Sequence, residues 1–75
     1  MTRFDYSKLR GKIIEKYGNQ YSFAKAMNWS ERTLSLKLKG ERIWTQKDIC
    51  KAIDLLEIPN KKIAEYFLMN EVQNF

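Results

Sequence analysis

Apolar residues recur along this chain at three- and four-residue intervals, the spacing of one face of an α-helix rather than the alternation of a strand. Tyr6, Leu9, Ile13, Ile14 and Tyr17 mark a first helix. Asp5 or Ser7 can cap it, and Gly18 ends it as a residue that tolerates a left-handed backbone. Gly11 lies inside it and weakens it by about 1 kcal/mol relative to Ala; close approach of a neighbouring helix is one reason to tolerate it. Asn19 can cap a short second helix with Phe23, Ala24 and Met27 on its inner side. Asn28 ends that helix, since Asn readily takes positive φ, and Trp29 follows as an apolar turn residue. Ser30 can cap a third helix from Glu31 to about Lys39, which Gly40 closes. After the loop Glu41–Trp44, Thr45 with Asp48 three residues on resembles a capping box for a fourth helix that buries Ile49, Ala52, Ile53 and Leu56. Pro59 breaks the chain, and a fifth helix runs from Asn60 to about Phe67 through Ile63, Ala64 and Phe67. In the tail, 68–75, Leu68, Val72 and Phe75 suit either a continued helix or an extended arm. The pattern predicts a single all-α domain over residues 1–75, with neither repeats nor a linker.

Size and composition narrow the function classes. A chain of 75 residues holds one domain, and such a domain buries about 60% of the surface its unfolded form exposes. A hydrophobic content of 44% with 13% aromatics suffices for one core. The absence of His removes the usual general base at neutral pH and the commonest metal ligand. The lone Cys50 permits neither an internal disulfide nor a multi-thiolate metal site, and reads as a small packing residue on the fourth helix. A non-enzymatic binding module without metal or cofactor is the expectation. No apolar run approaches the roughly 20 residues that span a bilayer. The N-terminus carries no apolar signal core. A cytoplasmic protein without membrane contact is therefore expected.

Charge adds a direction. The net charge of +5 divides into +3 over residues 1–19, +4 over 20–51 and −2 over 52–75. The middle segment sets Lys25, Arg32, Lys37, Lys39, Arg42, Lys47 and Lys51 against Glu31, Glu41 and Asp48. A polyanion is attracted to the first two thirds of the chain and not to the last third.

The stretch from Gln20 to Gly40 places two short helices around a tight turn with an apolar residue in it. Gln20, Phe23-Ala24, Met27, the turn Asn28-Trp29-Ser30, Leu34-Ser35 and Lys39-Gly40 resemble the lambda-repressor-like helix-turn-helix family, particularly its short phage Cro-type and repressor proteins of Gram-positive bacteria. The likeness covers roughly residues 5–67, with the helix-turn-helix over 20–39. Two positions depart from the family's usual pattern: Asn28 replaces the turn Gly, and Lys37 stands where a large apolar residue is common. The resemblance implies a five-helix DNA-binding domain with a short C-terminal tail. It also implies a transcriptional regulator that reads double-stranded operator DNA through the major groove.

At about 100° per residue, Leu34 and Leu38 define the buried side of the third helix, and Arg32, Leu36 and Lys39 point away. Glu31, Arg32, Thr33, Ser35 and Leu36 are the candidate base contacts. Arg32 leads them, because its planar fork can bind guanine O6 and N7 together. Glu31 has a second reading, as a complement to the positive end of its helix, and Leu36 a second reading in protein packing. Lys37, Lys39, Arg42 and Lys47 surround this helix as candidate phosphate contacts, and the family resemblance adds Gln20. One small module buries too little surface for high specificity, so a homodimer is expected. Tyr66, Phe67, Leu68, Met69, Val72 and Phe75 form the candidate dimer or partner surface; the competing reading has them finish the core. A second function class is a modulator or antirepressor that binds a partner phage repressor protein.

Overall fold

The computed structural model describes residues 6–67. It is all-helical there, as the periodicity predicts: α1 (Ser7–Tyr17), α2 (Gln20–Met27), α3 (Glu31–Leu38), α4 (Gln46–Leu56) and, after a 3₁₀ turn over Asn60–Lys62, α5 (Ile63–Phe67). The expected tail, 68–75, lies outside the described residues.

The helix ends follow from local chemistry. Asn19 Oδ1 accepts the Ser22 N–H at 2.8 Å, and Ser30 Oγ accepts the Thr33 N–H at 3.1 Å. Thr45 and Asp48 form a complete capping box, with the Thr45 hydroxyl accepting from Asp48 N–H at 3.1 Å and Asp48 Oδ2 accepting from Thr45 N–H at 3.0 Å. Three helices stop alike, each at a left-handed residue: Asn28 (φ 68°), Gly40 (φ 80°) and Glu57 (φ 59°). At each stop the next N–H reaches five residues back: Trp29 to Ala24, Glu41 to Leu36 and Ile58 to Ile53. Glu57 therefore ends α4 two residues before Pro59.

The core is one cluster. Leu9 and Ile13 of α1, Phe23 and Ala24 of α2, Leu34 of α3, and Ala52 and Leu56 of α4 are fully buried. Tyr6, Met27, Leu38, Trp44, Ile58 and Phe67 complete it. Each large side chain buried in this way contributes about 1.5–3 kcal/mol. Helix α1 packs on α2, α4 and α5, and α2 packs on α3 and α4. Two helix C-termini gain a cation from elsewhere in the fold. Arg10 of α1 donates to Leu38 O at 3.2 Å, and Lys51 of α4 donates to Met27 O at 3.4 Å.

Several expectations are corrected. The residue before α1 is Tyr6, which makes no side-chain cap, and Ser7 is already helical. Ile14 is 48% exposed, because it lies a full 100° beyond the buried Ile13. Ala64 and Cys50 are exposed rather than inward. Nothing lies within 4 Å of a Cβ built on Gly11, so no neighbouring helix requires a glycine there. Gly11→Ala is accordingly expected to stabilise the domain by about 0.5–1 kcal/mol in urea melts.

Candidate functional site

The exposed side of α3 is set by what holds its other side. Leu34 and Leu38 are buried, which turns Arg32 and Lys39 out to solvent and leaves Thr33, Ser35 and Leu36 half-buried. Gln20 begins α2 next to this face. Gln20, Glu31, Arg32, Ser35, Leu36 and Lys39 line one open cleft of about 380 Å³. Six of the residues singled out in the sequence therefore share one surface. The cleft presents a guanidinium, an ammonium, a carboxylate, an amide and a hydroxyl around the side chain of Leu36. Such a set can bind an anion, a base edge or a polar protein surface.

Other candidates lie elsewhere. Thr33 is tied into the start of α3, where Ser30 Oγ donates to Thr33 Oγ1 at 3.0 Å. Lys47 is exposed at the start of α4. Arg42 is exposed but lines a different cavity, on the α3–α4 loop. Among the candidate interface residues, Phe67 is a core residue at 2% exposure, and Tyr66 is half-buried against the core. The described part of that segment finishes the core; Leu68, Met69, Val72 and Phe75 lie outside the described residues.

Lys37 is corrected most sharply. Phosphate contact requires a free ammonium, but Lys37 is only 8% exposed. Its Nζ donates to Asp48 Oδ2 at 2.7 Å and to Ile43 O at 2.9 Å, and lies 4.7 Å from the centre of the Trp29 ring. The Trp44 indole N–H donates in turn to Lys37 O at 3.2 Å. Burial pushes the Asp48 carboxyl up, but the Lys37 ammonium and the Thr45 N–H and hydroxyl outweigh it and hold the group below its usual value. This latch joins α3, the α3–α4 loop and the start of α4. Its sequence signal was the polar residue at a position next to Leu38, eleven residues before a capping-box Asp.

Among the described residues, no group of three or more His, Cys, Asp or Glu side chains could hold a metal ion, and no helix is long and apolar enough to cross a membrane.

Fold and cleft together define a small all-helical domain that displays one face of a short helix braced from behind by its neighbours. The chain belongs to the family described as protein of unknown function (DUF739), whose model matches residues 1–71. No curated protein matches it. Among solved structures it is similar to the solution structure of the modulator of repression (MOR) of the temperate bacteriophage TP901-1 from Lactococcus lactis. The identity is 50%, the TM-score 0.75, and the match covers 85% of this chain and 86% of that one.

Proposed function

We propose that this chain is a phage regulatory protein that modulates repression by binding a partner repressor protein. The observation that carries this reading is the likeness to the TP901-1 modulator of repression, at 50% identity over 85% of the chain. Identity at that level over most of the chain means that the reading does not rest on fold alone. A modulator changes what a repressor does, and direct contact with the repressor is the simplest physical means for a chain of this size.

The test is a reporter driven by a promoter that the phage repressor controls. Expressing this chain should change repression several-fold when the repressor is present and leave the promoter unchanged when it is absent. An equal effect without the repressor would overturn the reading.

The α3 cleft favours a second reading, operator binding in the manner of a Cro-type regulator. Gln20, Arg32, Ser35 and Lys39 surround an exposed helix face, and the surrounding segment 20–51 carries net +4. On this reading Arg32→Ala should cost about 1–3 kcal/mol of affinity for a cognate duplex and relax preference at one base pair. Competition between cognate and random duplexes measures both quantities. An unchanged base preference would remove Arg32 from direct readout.

A further inference from the structure

The α3 cleft is where a repressor and an operator would compete, and its charge separates them. Affinity for a duplex comes mainly from cations set on phosphates. The cleft offers two, Arg32 and Lys39, and places Glu31 beside them. All three are exposed, and none forms an ion pair with another described residue. Neighbouring cations do not add to the set. Lys37 and Lys51 turn inward, to Asp48 and to Met27 O. Arg10 is held at Leu38 O, and Lys25 Nζ stands 5.5 Å from the centre of the Tyr21 ring. Lys8 and Lys16 of α1 are paired with Glu65 and Glu57, each at 2.8 Å. Arg42 and Lys47 lie outside the cleft. The net +4 of residues 20–51 is therefore not the charge of this face, where two cations meet one anion.

The cleft instead sets charges of both signs around the half-buried Leu36. Protein interfaces are built in this way, apolar inside and polar at the rim. A phosphate backbone presents one sign only and repels Glu31. The face is also held before any partner arrives. Leu34 and Leu38 are buried beneath it, Ser30 caps its start and Arg10 binds its end, so docking orders little that is not already ordered.

We propose that the α3 cleft is the surface on which the partner repressor docks. The segment that fits it carries a carboxylate for Arg32 and Lys39, an apolar side chain for Leu36 and a cation for Glu31. This rests on the repressor-binding reading, to which it adds the place of contact and the chemistry of the occupant.

Calorimetric titration of the purified phage repressor with the full chain and its variants tests the proposal. Arg32→Glu and Lys39→Glu should each raise the dissociation constant at least about tenfold, with circular dichroism unchanged, since both side chains are exposed. Lys61→Glu makes the same charge change on an exposed residue outside the cleft and should alter it by less than about twofold. Glu31→Gln separates the two partners by sign. Repressor binding should weaken about two- to fivefold, whereas removing an anion from a surface that faces phosphates tightens binding. An Arg32→Glu or Lys39→Glu variant that binds repressor like the parent overturns the proposal and leaves the repressor-binding reading in place. So does a Lys61→Glu loss equal to theirs, which would make the effect one of net charge, and so does Glu31→Gln binding that is unchanged or tighter. Loss of sequence-specific duplex binding in the two charge reversals, with repressor binding kept, would give the cleft to operator DNA. A parent chain that binds no repressor overturns both the proposal and the reading beneath it.

Discussion

Trp44→Ala is expected to bring the domain to the edge of unfolding at room temperature. Trp44 is 8% exposed and sits where distant parts of the chain meet. Its ring lies 5.0 Å from Phe67 of α5, 5.6 Å from Trp29 of the α2–α3 turn and 6.1 Å from Tyr6 before α1, measured between centres. The first two are edge-on contacts, which add to the area they bury. Removing a buried Trp side chain costs about 3–5 kcal/mol. A domain of this length has roughly 4–11 kcal/mol in total. The loss also leaves Lys37 O without its indole donor. Urea unfolding followed by circular dichroism should show the midpoint falling by a third or more. Trp44→Phe keeps most of the ring and should lose only about 1–2 kcal/mol. A Trp44→Ala loss under about 1 kcal/mol would mean that the aromatic cluster does not hold Tyr6, α5 and the α2–α3 turn together.

The second large effect is expected from Asp48→Ala. The Lys37 and Asp48 side chains are 10% and 18% exposed. Removing the carboxylate strands a buried ammonium with only Ile43 O and the Trp29 ring, and breaks the capping box of α4. Cutting one partner from a buried pair costs about 3–5 kcal/mol; with this residual solvent contact, about 2–4 kcal/mol is expected. For a domain of this size that lowers Tm by on the order of 10–25 °C. Lys37→Met should cost less, about 1 kcal/mol, because Asp48 keeps its Thr45 donors and is the more exposed partner. The pH dependence has a definite sign. The folded Asp48 carboxyl titrates below its unfolded value. Its contribution is therefore complete above the unfolded pKa of about 3.9 and is lost as pH falls through the lower folded value. Glu57 and Glu65, held below their usual values by hydrogen bonds from Lys16 and Lys8, act in the same direction. The Asp48 share is what the variant removes, so melts below about pH 4 should show a shallower acid loss in Asp48→Ala than in the parent. Parallel curves would exclude the latch as an acid-sensitive element.

The helices were legible in the sequence because each has a local reason to exist. Asn19, Ser30 and Thr45 are side chains that cap, Gly40 and Asn28 are residues that turn, and Phe23, Ala24, Met27, Leu34 and Leu38 repeat at helical spacing. The rotation of α3 was legible for the same reason at Arg32 and Lys39, which are exposed as expected, while Leu36, expected to point away, is half-buried; Gln20, Glu31, Arg32, Ser35, Leu36 and Lys39 line one cleft. What escaped depends on partners distant in sequence. Lys37 stands out in the sequence as a lysine at a position where a large apolar residue is common, but nothing there names Asp48, Ile43 O and Trp29 as the groups that close around it. Glu57 gives no sign of a left-handed turn, because Glu is not a residue that usually adopts one. Cys50 follows the apolar Ile49 but falls on the outer side of α4. Ile43 is placed by the sequence only in the loop Glu41–Trp44, and the latch that fixes its carbonyl shows how it is held in water.

The central claim is that this chain acts through a repressor protein. Calorimetric titration of the chain with the phage repressor it is proposed to modulate tests that claim most directly, with duplex DNA alone titrated in parallel. The account predicts saturable repressor binding at about micromolar affinity or tighter, while duplexes alone bind weakly, at about 10⁻⁴–10⁻⁶ M, and lose affinity steeply with salt. No heat of binding with repressor at about 100 µM, together with sequence-specific duplex binding at about 10⁻⁸ M, would contradict it and leave the operator-reading function in its place.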